Sequence, residues 1–120
     1  MSERRPLGVG ILGFGFMGRT HAFTHRAIPF YYDPPPLPCR LVAVCRADLS
    51  RGEAARAAGG FERVAATPEE LIDADDVDIV HVCTPNAQHL PAIRRAIAAG
   101  KHLYVDKPVV ASLREADELE

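Results

Sequence analysis

The stretch GVGILGFGFMGRTH at residues 8–21 constrains this chain more than any other. Gly13, Gly15 and Gly18 stand directly behind a short apolar run. Inside a strand or helix each glycine costs roughly 0.5–1 kcal/mol relative to alanine, so three at G-x-G-x-x-G spacing mark a backbone that bends sharply or is closely approached. The run before them, residues 7–12, is continuous rather than alternating and reads as a strand buried on both faces. Residues 17–28 carry few breakers and read as a helix.

The same unit recurs along the chain. Pro29, Pro34, Pro35, Pro36 and Pro38, five of the ten prolines, predict a loop over residues 29–38. Residues 41–45 (LVAVC) form a second buried strand, and 50–60 an alanine-rich helix closed by glycine. A short third strand at 63–66 precedes Thr67 as N-cap, Pro68 at the first helical position and Glu70 at the third, a capping-box spacing. Residues 77–83 give the fourth strand, 88–99 a helix stopped by Gly100, and 102–106 the fifth strand. The final ASLREADELE reads as a further helix without a stop signal, so the sequence is expected to be a fragment. Strands alternating with helices imply right-handed crossovers and a parallel sheet covered on both faces. The expected class is α/β, a doubly wound, mainly parallel sheet in a three-layer αβα arrangement.

At 120 residues the chain suits one domain over 1–120. Hydrophobic residues at 48% and charged residues at 25% match globular usage and exclude disordered and fibrous classes. A net charge of −2 with scattered arginines offers no attraction to nucleic acid or anionic lipid, and no apolar run approaches the ~18 residues of a membrane span. Arg4 and Arg5 ahead of LGVGILGFGFMG resemble an export signal, but that segment holds the glycines the fold needs, so the export reading is rejected. Cys39, Cys45 and Cys83 form an odd set with no C-x-x-C pair, which argues against disulfides and structural zinc and for a reducing, cytoplasmic setting. Cys45 and Cys83 are expected to be small core residues rather than nucleophiles. His21 and His25 have the i, i+4 spacing of metal ligands, yet Ala22 stands where H-E-x-x-H needs glutamate, so a packed pair without metal is expected.

In a doubly wound sheet the first strand-to-helix turn is the usual phosphate seat. There Gly13 would permit the tight turn, Gly15 would admit a pyrophosphate, and Gly18 would let helix pack on strand. Phe14, Phe16 and Met17 fill the rest of the loop, and the helix N-terminus supplies N–H groups and positive dipole. The expected cofactor is NAD(P). At the end of the second strand Arg46 stands where an acid would bind the ribose 2′-hydroxyl of NAD, with Asp48 two positions on. Arginine suits the 2′-phosphate of NADP, and the reading leans that way. The interval from Gly18 to Arg46 is 28 residues, longer than usual because of the proline loop.

Three stretches, GILGFGFMGRTHA, VHVCTPNAQHLPAIRRAIAAGKH and LYVDKPV, together resemble the N-terminal NAD(P)-binding domain of the glucose-fructose oxidoreductase, inositol dehydrogenase and rhizopine catabolism (Gfo/Idh/MocA) family. The resemblance covers nearly the whole chain and implies a Rossmann fold. It also implies hydride transfer between NAD(P) and a hydroxyl carbon of a sugar, polyol or related substrate. Asp106-Lys107-Pro108 stands where the family usually has Glu-Lys-Pro, which puts Lys107 beside nicotinamide and substrate as the catalytic lysine. Thr84, Pro85, Asn86 and His89 would line the cofactor cleft with Asp106, whose side chain is one methylene shorter than glutamate. Family members carry a second domain that holds the substrate. The present chain alone is therefore expected to be inactive, and exposed apolar surface makes a homo-oligomer expected. A module that senses the dinucleotide without chemistry is the alternative; an adenosylmethionine methyltransferase fits the D-K-P motif less well.

Overall fold

A computed structural model describes residues 5–120, so Arg4 of the export-signal reading lies outside it. Five strands form one sheet: β1 (Leu7–Leu12), β2 (Cys39–Cys45), β3 (Arg63–Val64), β4 (Ile79–Val82) and β5 (His102–Val105). All pairings are parallel and the spatial order is β3-β2-β1-β4-β5. The connecting helices are α1 (Phe16–Tyr31), α2 (Gly52–Gly59), α3 (Pro68–Asp73) and α4 (His89–Ala98), followed by α5 (Leu113–Glu118). Single 3-10 turns, Leu49–Arg51 and Asn86–Gln88, lead into α2 and α4.

The continuous apolar strands bury both faces, as the sequence predicts. Val9, Ile11 and Val44 pack against Ala22 of α1 and Ala55 of α2. On the other face Leu12, Val80 and Val82 meet Leu71 and Ile72 of α3 and Ala92 and Ala96 of α4. This is the doubly wound, three-layer arrangement. Just ahead of β1, Arg5 ties the chain to the residue before β4: its guanidinium donates to both carboxylate oxygens of Asp78 at 3.0 and 2.7 Å. The same carboxylate accepts the Gly8 N–H at 2.7 Å, and Arg5 foremost holds it below the usual range.

Several boundaries differ from expectation. Helix α1 runs through Pro29 to Tyr31 instead of stopping at residue 28; Pro29 lacks the N–H that would bond the His25 carbonyl, so the helix passes through the proline one hydrogen bond short, with residues 29–31 exposed. Strand β2 starts two residues early, at Cys39, where it pairs with Leu7 of β1. Strand β3 keeps only two residues, and β4 is shorter at both ends than residues 77–83. Thr67 caps α3 by accepting the Glu70 N–H at 3.1 Å, while Glu70 reaches back to the Ala66 N–H at 2.8 Å, one residue beyond the cap.

The histidine pair on α1 finds a third ring on the sheet. His21 Nδ1 lies 2.8 Å from His81 Nδ1, and His25 Nε2 lies 3.1 Å from His81 Nε2. The two α1 rings thus approach opposite nitrogens of His81 and form a chain rather than converging on one point. Tyr104 of β5 stacks on His81 at 5.2 Å. Burial pushes His81 down to about 3, with His25 and then His21 adding to the shift. Burial also lowers His21, against an opposing pull from Asp106, and lowers His25, with His21 adding.

These rings are neutral in the fold and take up protons more readily once unfolded. Stability is therefore fully present above about pH 6.5 and is lost as pH falls toward the native values. The thermal midpoint is expected to drop between about pH 7 and about 4.5, ahead of the carboxylates, and His81→Leu is expected to flatten that slope. An unchanged slope in the variant would refute the assignment.

Candidate cofactor site

The strand-to-helix turns of the parallel sheet open on one edge, where they surround a cleft of about 700 Å³. The first turn follows β1. Gly13 has φ +90°, and a Cβ there would sit 2.6 Å from the Cys83 carbonyl oxygen, so neither conformation nor space admits a side chain. A Cβ at Gly18 would fall 2.2 Å from the Gly13 carbonyl oxygen, the close packing of α1 on its own turn. A Cβ at Gly15 meets nothing within 4 Å, and its open side is cleft. Gly15 is also the N-cap of α1, with no side-chain cap and no acidic residue in the first turn. The helix N–H groups and dipole there are left for an anion.

Gly13, Phe14, Gly15, Phe16, Met17, Arg46, Thr84, Pro85 and Asp106, all singled out in the sequence, line the cleft. Gly18 shapes the turn from behind. Asn86 stands just outside the lining, with its Oδ1 buried and unpartnered, as is Thr84 Oγ1. His89 does not line the cleft. It is 1% exposed and lies behind it, its ring nitrogens facing the carbonyls of Thr84, Pro108 and Val109. Lys107 is exposed beyond the rim, and its backbone N–H donates to Asp106 Oδ1 at 2.9 Å.

The sequence reading missed one wall. Ala66, Thr67, Pro68 and Glu69 follow β3 and face the cleft, as does Gln88 of the turn before α4. The signal was present, since every turn after a parallel strand reaches this edge, but Thr67 and Pro68 read only as a helix start. Asp48 is absent from the lining. Its Oδ1 accepts from Ser50 N at 3.0 Å and Ser50 Oγ at 2.6 Å, and these bonds lower its pKa. Burial pushes the thiols of Cys45 and Cys83 up to about 11 and about 12, so both stay protonated and unreactive. An anion seat at an uncapped helix, an open glycine and unpartnered polar atoms beside it suit a dinucleotide.

Residues 7–120 match a family profile, GFO_IDH_MocA, described as "Oxidoreductase family, NAD-binding Rossmann fold". The chain is 37% identical over 112 residues to levoglucosan dehydrogenase of Pseudarthrobacter phenanthrenivorans, covering 92% of this chain and 28% of that protein. It is 40% identical over 110 residues to inositol 2-dehydrogenase 4 of Saccharopolyspora erythraea, covering 89% of this chain and 30% of the relative. A solved levoglucosan dehydrogenase complex with NADH superposes with a TM-score of 0.90 at 30% identity, over 94% of this chain and 30% of that one. The chain thus spans less than a third of the length of these curated relatives. With the cleft, the sheet order and the profile in agreement, the chain belongs to the Gfo/Idh/MocA oxidoreductase family and is an NAD-binding Rossmann domain of that family.

Proposed function

We propose that this domain holds NAD(P) for a dehydrogenase acting on a hydroxyl carbon of a sugar or polyol. The open side of Gly15 at the uncapped N-terminus of α1 carries the reading, because it leaves room and N–H donors for a pyrophosphate. The names of the relatives, levoglucosan and inositol dehydrogenases, support the substrate class. When bound, the nicotinamide supplies the hydride acceptor or donor. The protein positions it with Gly13 to Gly18, Thr84 and Pro85, and Lys107 Nζ takes or returns the hydroxyl proton at the substrate oxygen. Asp106 fixes the lysine's backbone through the 2.9 Å bond to its N–H.

The lean toward NADP rests on Arg46, which lines the cleft while Asp48 is engaged by Ser50. The three cysteines are free, which suits a reducing cytoplasmic setting. Exposed Phe23, Phe30, Tyr31 and Tyr104 suit assembly into a homo-oligomer.

Replacing Gly15 with valine is expected to weaken NADPH binding by about tenfold or more, measured by calorimetry, with the thermal midpoint nearly unchanged. Gly18→Ala should instead destabilise by about 1–3 kcal/mol through the clash with the Gly13 carbonyl. Equal cofactor affinity in parent and Gly15→Val would sink the site assignment.

Arg46→Asp is expected to cost NADP about tenfold or more in affinity and NAD much less, one charge-assisted hydrogen bond contributing about 1.5–3 kcal/mol. Dissociation constants for both cofactors at fixed ionic strength decide it; a parent without preference refutes the lean.

With Lys107 exposed to water, this 120-residue chain should turn over none of a panel of sugars and polyols. Orientation beside the nicotinamide supplies many powers of ten in rate, and among the described residues none encloses the lysine. Cofactor reduction that vanishes on Lys107→Ala would overturn this.

A further inference from the structure

His89 opens α4, yet its ring points away from the cleft and into the space between two turns. Nδ1 lies 2.9 Å from the Pro108 carbonyl oxygen and 3.1 Å from that of Val109, and Nε2 lies 2.9 Å from the Thr84 carbonyl oxygen. A carbonyl only accepts, so the ring must donate in every contact. A neutral imidazole has one N–H and would turn a lone pair toward an oxygen at its other nitrogen. A ring with an N–H on each nitrogen satisfies all three oxygens, and charge-assisted bonds of this kind offset the cost of enclosing it.

The segment that receives these bonds has few others. Strand pairing with β4 ends where the Asp106 N–H donates to the Val82 carbonyl at 2.9 Å. Beyond it, Lys107 N–H donates to the adjacent Asp106, and Ala111 N–H to Glu115 further along the chain at 2.8 Å. Among the described residues, the side-chain bonds that join residues 107–110 to the β4 side of the fold come from His89.

We propose that His89 is a positioning residue: donating from both ring nitrogens, it ties the Thr84 turn of the cleft to the Pro108–Val109 segment and so fixes Lys107 relative to the cofactor. This rests on the reading of the cleft and of Lys107 given above.

The test is amide hydrogen exchange on the whole chain, with and without NADPH, in the parent, His89→Ala, His89→Asn and His89→Gln, together with the 15N spectrum of the His89 ring. The asparagine amide sits near the former Nδ1 and the glutamine amide near the former Nε2. Without ligand, His89→Ala should speed exchange at residues 107–111 by about tenfold or more, while β1 and β4 amides change by less than about threefold. His89→Asn should restore protection and His89→Gln should not. If His89→Ala does not fold, the contrast between Asn and Gln decides. Both ring nitrogens of the parent should carry a proton. NADPH should slow exchange at 107–111 in the parent and in His89→Asn, but not in His89→Ala. A ring with one bare nitrogen, a change spread evenly over the sheet, or no difference between Asn and Gln would overturn the proposal. A parent that binds neither NADPH nor NADH refutes the cofactor reading instead, while the ligand-free exchange and the ring spectrum still decide the role of His89.

Discussion

Parallel pairing of β1 with both β2 and β4 is the constraint from which the rest follows. A chain that must enter every strand from the same side has to return over a face of the sheet each time, so its helices become the covering layers. The same rule delivers every strand's carboxyl end to one edge. Residues from Gly13 to Asp106, remote in sequence, then share a single cleft. The contact that sets its floor is the approach of the Gly13 turn to the Cys83 carbonyl at the end of β4, which only a glycine with positive φ allows.

Electrostatics in the cleft are as notable for what is occupied as for what is open. Asp48 is consumed as a cap for Ser50, and Asp106 holds a backbone N–H. The two nearest thiols stay protonated. The anion-attracting elements that remain are the uncapped start of α1 and the Arg46 side chain. Glu69, on the wall formed by the turn after β3, is the counterweight at that end of the cleft.

The sequence disclosed the elements that depend on local pattern. Continuous apolar runs marked the strands, and turn glycines marked the loop at residues 13–18, because each signal lies within a few residues of its effect. Boundaries were less legible. Pro29 looks like a helix stop, yet it costs one hydrogen bond in an exposed turn and α1 passes through it. In the site, the turns after β1, β2 and β4 were readable from motifs, and the one after β3 was hidden by its own helix cap. His89 was placed in the right turn, but a sequence does not say which way a ring faces, and this one faces inward. The meeting of His21 and His25 with His81 is a pairing across some sixty positions with no local trace.

The position of β1 in the middle of the sheet also has a meaning in time. Of the five described strands it is the first made, and its partners are β2 and β4, the latter ending at Val82. Synthesis at about 5–20 residues per second leaves roughly 4–14 s between completion of β1 and of β4. Throughout that interval one edge of the most apolar strand has no neighbour, and the glycine turn has no Cys83 carbonyl to rest against. A ribosome-bound chain shorter than β4 thus presents an open template for foreign strands, and Gly8 and Gly10, poor strand formers in that exposed state, lessen the hazard.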